Sequence, residues 1–166
     1  MMASKLDKAP KIEKLLKERK IGSISLPKPI QCSKDKMLGD AIRIMQEEKS
    51  GYVVVTDQDR VLGIFTEKDF TLNILEKEAL LEDSVVKYIN ASIPVLTLDD
   101  SVDQAIDLMY DYEYRHLILV NNLEERKLAG VLSARSIIRF LAEHYPAEVL
   151  NLPPRSGQIS ATREGG

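Results

Sequence analysis

Ser33-Lys34-Asp35-Lys36-Met37-Leu38-Gly39-Asp40-Ala41-Ile42-Arg43-Ile44-Met45 returns 64 residues later as Thr97-Leu98-Asp99-Asp100-Ser101-Val102-Asp103-Gln104-Ala105-Ile106-Asp107-Leu108-Met109. Asp35/Asp99, Ala41/Ala105, Ile42/Ile106 and Met45/Met109 are identical. The same shift lays Val53-Val54-Val55 on Leu117-Ile118-Leu119. Three extra residues in a polar turn then bring Gly63-Ile64-Phe65-Thr66 onto Gly130-Val131-Leu132-Ser133, in the kind of place where insertions cost little. Two copies of one supersecondary unit follow, neither long enough to bury a core alone.

Periodicity gives the order of elements within each copy. A short extended piece (Ile30 to Cys32; Val95 to Leu96) precedes a capped helix whose Ala, Ile and Met positions recur at helical spacing. A continuous apolar strand follows (Tyr52 to Thr56; Leu117 to Val120), then a polar turn and a second strand (Val61 to Phe65; Leu128 to Leu132), which together read as a hairpin. A helix opening at Thr66 (TEKDFTLNIL) or Ser133 (SARSIIRFLAEHY) closes each copy, its first hydroxyl suited to capping. The fold class is α/β (α+β), β-α-β-β-α twice. The expected organisation is a basic amphipathic helix over 1–20, repeats over 21–82 and 83–148, and a flexible Pro- and Gly-containing tail over 149–166. Ile12, Leu15 and Leu16 give the first segment one apolar side, with which it lies on the main body.

Composition bounds the function. The chain has 166 residues, of which 44% are hydrophobic and 5% aromatic, which suits an aliphatic core. Its 23 basic and 26 acidic side chains leave a net charge of -3, so no overall field draws it to DNA or RNA. A single cysteine, Cys32, excludes an internal disulfide and reads as a buried apolar residue. No apolar run approaches the roughly 20 residues of a membrane span, and the charged start lacks a signal-peptide core; the expectation is a cytoplasmic protein. No Ser-His-Asp or Cys-His set, phosphate-binding Gly-rich loop or metal cluster is legible, so the reading is not an enzyme. Met37, Met45 and Met109 read as core fillers, and His144 as a helix-end residue opposing the dipole.

The order of elements, the repeat length, and the sequences Gly63-Ile64-Phe65-Thr66-Glu67-Lys68-Asp69 and Arg115-His116-Leu117-Ile118-Leu119-Val120 resemble a tandem pair of cystathionine-β-synthase (CBS) domains, a Bateman module, over about residues 20 to 145. The ending Phe140-Leu141-Ala142-Glu143-His144-Tyr145-Pro146, with Val149 to Pro154, resembles small stand-alone bacterial CBS-pair proteins. The resemblance implies repeats packed through their sheets about a pseudo-twofold axis. It also implies two clefts that take adenosine-containing ligands such as AMP, ADP, ATP, S-adenosylmethionine or cyclic dinucleotides, and association through helices into a homodimer. Ala41, Ile42, Met45, Ala105, Ile106 and Met109 are the expected dimer stripe. No covalent cofactor is implied, and AMP, ADP or ATP is the expected regulatory ligand.

The residues support part of this independently. Thr66 at a helix mouth can donate to a phosphate oxygen, and Asp69, one turn on, can accept from a ribose diol; the same two residues also fit a plain helix cap. By resemblance, Thr66, Lys68 and Asp69 hold phosphate and ribose, with Pro29-Ile30-Gln31 and Gly51-Tyr52-Val53 as adenine walls. Removing the Asp69 carboxylate is expected to weaken binding and leave folding little changed. The second copy departs from the pattern: Ser133-Ala134-Arg135-Ser136 has Ser136 where the family has its aspartate. That cleft, with Ser133, Arg135, Ser136, Arg115 and His116, is expected to be weaker, either empty or selective for a phosphate-rich ligand. Two functions remain open: a nucleotide-sensing regulatory module acting through a dimer on an unidentified protein, or a ligand-free dimerisation scaffold.

Overall fold

Continuous apolar runs on the central strands dictate the architecture of the computed structural model, which describes residues 9–74 and 80–147. Strand β1 (Gln31–Ser33) pairs in parallel with β2 (Tyr52–Asp57) across helix α2 (Leu38–Glu47), and β2 pairs antiparallel with β3 (Arg60–Thr66). The second repeat repeats this with β4 (Val95–Thr97), α4 (Val102–Asp111), β5 (His116–Val120) and β6 (Leu128–Ser133). Each forms its own three-stranded sheet, in sequence order. Successive side chains of a strand point to opposite faces. Val53 and Val55 thus enter the core beneath α2, and Leu117 and Leu119 the equivalent core beneath α4. Tyr52 and Val54 meet Ile118 and Val120 between the repeats, with Val61, Ile64, Ile93 and Val131. Both faces are covered, which is why the strands read as unbroken apolar runs. Each of these side chains contributes roughly 1.5–3 kcal/mol by leaving water.

The linkers are exchanged. The segment entering repeat 1 closes the helix of repeat 2: Gly22 N–H donates to Leu98 O, Ile21 N–H to Asp100 O, and Val102 N–H to Arg19 O. The segment entering repeat 2 closes the helix of repeat 1, with Gly39 N–H donating to Leu81 O, Leu38 N–H to Asp83 O and Val85 N–H to Lys36 O. Isolated bridges Lys20↔Ser101 and Met37↔Ser84 seal the two ends. The 64-residue offset relates Ile21–Asp100 to Val85–Lys36, Val102–Arg19 to Leu38–Asp83, and the bridge Lys20↔Ser101 to Met37↔Ser84, so this part of the exchange carries the pseudo-twofold symmetry.

Several expectations change in detail. Helix α2 has Met37 at its N-cap with no side-chain cap; the borrowed carbonyls of Leu81 and Asp83 accept its first N–H groups instead. Helix α4 has a full capping box from Ser101 and Gln104. Met37 is 52% exposed and no core filler, whereas Met45 is buried. Ala41 and Ala105 are fully buried and cannot form a dimer stripe; the exposed apolar residues of the second repeat's helices are Tyr110 and Ile138. The closing helix of repeat 1 shrinks to α3 (Glu67–Asp69), running into a wider π turn at Phe70–Ile74; Leu75 lies outside the described residues. In repeat 2 the corresponding α5 (Ala134–His144) is continuous. Its His144 sits against Phe140, Nδ1 at 3.0 Å from the Phe140 carbonyl.

Helix α1 (Ala9–Glu18) packs along α4, with Leu16 against the second core. Its charges pair along its own surface, as in Lys17–Glu13 at 2.7 Å, and Arg19 lies over the Tyr145 ring at 5.8 Å. The expected tail over 149–166 falls outside the described residues. No helix among the described residues is long and apolar enough to cross a membrane.

Candidate functional site

Two clefts flank the pseudo-twofold axis, and each takes its walls from one repeat and its helix start from the other. The first, about 1070 Å³, is lined by Pro27, Lys28 and Ile30 of the entering linker, Glu48 to Tyr52 at the start of β2, Phe65 and Phe70, and Ser133 to Arg135 at the start of α5. The second, about 850 Å³, is lined by Asn90 and Ile93 of the other linker, Tyr112 to His116 at the start of β5, and Thr66 to Asp69 at the start of α3. Residues 48–52 and 112–116 are counterparts, as are 66–69 and 133–136, so the crossing is reciprocal.

This regroups the sequence-derived candidates. Ile30, Gly51 and Tyr52 share a cleft with Ser133, Arg135, Arg115 and His116, and Thr66, Lys68 and Asp69 stand in the other. Pro29 lies between the lining residues Lys28 and Ile30. Gln31 is exposed on β1, and Val53 is fully buried in the repeat 1 core; neither lines a cleft. Ser136 is also off the surface of its cleft, its hydroxyl 2.9 Å from that of Ser133 and its N–H donating to Ser133 Oγ at 3.0 Å. The sequence reading missed Lys28, Lys49, Asn90, Ile93, Tyr112, Glu113 and Tyr114. The repeat offset was the available signal: Tyr112, Glu113 and Tyr114 stand 64 residues beyond Glu48, Lys49 and Ser50.

The two clefts differ in charge. Lys28, Lys49, Arg115 and Arg135 outnumber Glu48 and Glu67 in the first, and Glu67, Asp69 and Glu113 outnumber Lys68 and Arg115 in the second. The basic cleft also receives the N-terminus of α5, 11 residues long, whose dipole complements an anion. Helix α3 has no comparable length, and its cap is internal. Asp69 Oδ2 accepts from Thr66 N at 2.9 Å and from Thr66 Oγ1 at 2.6 Å, while Asp69 N–H donates back to Thr66 Oγ1 at 3.4 Å. Thr66 and Asp69 are thus a capping box. The cap geometry leads to the expectation that replacing Asp69 by alanine costs stability as well as binding. Oδ1 makes no hydrogen bond among the described residues and is the oxygen that can accept from a hydroxyl.

Tyr52 and His116 are counterparts and touch across the axis, ring centroids 4.7 Å apart. Burial holds the His116 pKa below its ordinary value, aided by Arg115 and opposed by Glu67, so the ring is neutral near pH 7. Burial pushes the Tyr52 hydroxyl upward, opposed by a backbone hydrogen bond from Ile30. Cys32 lies on β1, its thiol pushed up to about 11 by burial, which makes it unreactive. No group of three or more metal-ligating side chains occurs among the described residues.

The CBS-domain family matches residues 21–76 and again 85–143. The chain belongs to the CBS-domain family, as a tandem CBS pair. An uncharacterised 17.7 kDa protein of Acidianus ambivalens is 30% identical over 125 residues, 75% of this chain and 74% of that protein. Other, longer CBS-containing relatives are matched over 20% of their length. Among solved structures, the CBS domain pair of protein MJ0100 in complex with 5'-methylthioadenosine and S-adenosyl-L-methionine has a TM-score of 0.65 at 17% identity, covering 75% of this chain and 97% of that one. The CBS domain protein PAE2072 from Pyrobaculum aerophilum, complexed with AMP, has a TM-score of 0.64 at 21% identity, covering 75% and 99%. At such identities these neighbours establish the CBS-pair fold.

Proposed function

We propose that this CBS pair is a regulatory module that binds an adenosine-containing ligand between its repeats and passes the resulting change of shape through a homodimer to a protein partner. The observation that carries the reading is the crossed construction of the clefts: a ligand in either one touches both repeats and so couples to their relative orientation. A ligand changes shape only through differential affinity for two arrangements; a site split across the interface supplies that difference. The solved CBS pairs named above hold AMP, or 5'-methylthioadenosine and S-adenosylmethionine, which favours an adenosine ligand here. The Tyr52 and Tyr112–Tyr114 segments offer aromatic and apolar surface for a base, Asp69 Oδ1 an acceptor for ribose, and the basic cleft a place for phosphate. AMP, ADP and ATP are accordingly the first candidates. Tyr110 and Ile138, exposed on α4 and α5, are candidate dimer contacts. Nothing in the chemistry of either cleft suggests catalysis.

Calorimetric titration with AMP, ADP, ATP and S-adenosylmethionine tests the reading, with light scattering on the same samples for the dimer. At least one compound is expected to bind saturably and raise the melting temperature. Asp69→Asn keeps an acceptor for the Thr66 cap, yet should weaken binding at its cleft about tenfold through loss of the charged acceptor. Failure of every compound to bind overturns the AMP, ADP, ATP and S-adenosylmethionine readings and turns the case to a cyclic dinucleotide or a ligand-free scaffold.

A further inference from the structure

Four residues line both clefts: Gly51, Glu67, Arg115 and His116. They form the wall at the pseudo-twofold axis, and the wall is chemically lopsided. Gly51 and Arg115 are counterparts, each carbonyl accepting at 3.1 Å from the first N–H of a closing helix, Glu67 N–H to Gly51 O and Ala134 N–H to Arg115 O. A symmetric pair would place two guanidinium groups here, one for each cleft, or none. This chain has one.

Arg115 is exposed and makes no ion pair among the described residues, so its fork is open to a ligand from either side. Its counterpart Gly51 adds no side chain to separate the two sides. The clefts also need Arg115 unequally: the basic one has Lys28, Lys49 and Arg135 besides, and the acidic one has Lys68 alone against three carboxylates.

Resting on the nucleotide reading above, we infer that Arg115 is a single phosphate anchor shared by the two clefts, so that each chain holds one phosphate-bearing nucleotide tightly and its other cleft takes a nucleoside without phosphate. A guanidinium fork engages one phosphate bidentately. Two phosphates gathered around one side chain lie within a Debye length, about 8 Å at physiological salt, and repel with little screening. Glu67, on the same wall, adds to that repulsion, where its counterpart Ala134 does not. An uncharged ribonucleoside meets no such conflict and finds Asp69 Oδ1, the paired rings of Tyr112 and Tyr114 at 5.7 Å and an acidic surround in the second cleft.

The test is titration of the whole chain with AMP and with adenosine, separately and in sequence. Wild type should bind one AMP per chain at least tenfold more tightly than a second. The chain loaded with that one AMP should still take up one adenosine. Arg115→Gln should lower AMP affinity at least tenfold and adenosine affinity by less than threefold, the retained adenosine binding showing that the variant is folded; Arg115→Lys should recover part of the AMP affinity. Two AMP molecules per chain with affinities within threefold, or an Arg115→Gln variant that loses AMP and adenosine equally, overturns the shared anchor and leaves the nucleotide reading standing. If neither compound binds the wild type, that reading fails and the anchor fails with it.

Discussion

The two clefts descend from one repeated unit and differ at a handful of side chains. The β2 start Glu48-Lys49-Ser50-Gly51-Tyr52 has become Tyr112-Glu113-Tyr114-Arg115-His116 at β5, and Thr66-Glu67-Lys68-Asp69 has become Ser133-Ala134-Arg135-Ser136. Because the clefts are built crosswise, the carboxylates Glu113 and Asp69 meet in one, and the cations Lys49 and Arg135 in the other. Two copies of one scaffold thereby acquire opposite charge through a few side-chain changes at their cleft walls. Duplication followed by exchange lets two changes in different repeats add up in one site.

The surroundings of the backbone also differ at Gly63 and its counterpart Gly130. Residue Asn90 pairs with Ile64 in both directions, Ile64 N–H to Asn90 O and Asn90 N–H to Ile64 O, so the linker runs against β3. A Cβ at Gly63 would stand 2.5 Å from Asn90 O, whereas one at Gly130 would meet side-chain methyls, Leu26 Cδ1 at 3.2 Å and Leu119 Cδ1 at 3.7 Å. Gly63→Ala should therefore cost roughly 1–3 kcal/mol in urea denaturation, while Gly130→Ala stays within about 0.5 kcal/mol of wild type, helped by the lower entropy of its unfolded chain. Equal effects would mean that the two linkers are held alike.

A smaller difference separates the caps. Asp69→Ala should lower stability by about 1 kcal/mol, since it removes half of the capping box. Ser136→Asp places a carboxylate at the equivalent position on α5, beside the Ser133 hydroxyl and in the first turn of a full-length helix. It should gain about 0.5–1 kcal/mol by accepting the Ser133 N–H and opposing the dipole. A loss of stability in the second variant would show that the two helix starts are not equivalent in geometry. Denaturant midpoints at pH 7 decide it.

The smallest expected effect is in pH dependence, and it belongs to one side of the axis only. The lowered pKa of His116 means that the unfolded chain, with its histidine near 6.5, takes up the proton first as pH falls. Stability from this group is complete above about 6.5 and declines below it, toward the folded value. His116→Gln should flatten that acid limb. Tyr52 is neutral throughout the range, so Tyr52→Phe should leave the limb unchanged. Melting temperatures at pH 7 and pH 5.5 read both.

Much of the fold was legible because the information was local. Apolar runs such as Val53-Val54-Val55 and Leu117-Ile118-Leu119 announce strands buried on both faces, and the repeat fixes their order. The chemistry of the clefts was half legible: Thr66, Asp69 and Arg135 could be picked out by residue type, and Tyr52 and Arg115 by the family resemblance. Which of them face one another could not, because the exchange of linkers and helix starts between repeats leaves no mark in the spacing of either copy. The fate of Met37 escaped for a similar reason. Its helical spacing matches that of a core residue, but its neighbour across space is Ser84, in a linker that sequence alone does not bring back to it.

The exchanged linkers also set an order on assembly during synthesis. The carbonyls that close α2 come from Leu81 and Asp83, so repeat 1 can be completed soon after the chain has grown past residue 85. The cap of α4 draws instead on Arg19 to Gly22, made at the very start of repeat 1, and these backbone bonds have no partner until Leu98 to Val102 emerge. The face of repeat 1 that carries Tyr52, Val54 and Ile64 still waits for Ile118, Val120 and Val131. Closing the longer loop carries a modestly greater entropy cost, which places the N-terminal clasp, with Leu16 and Arg19 behind it, among the last contacts made and the first to open.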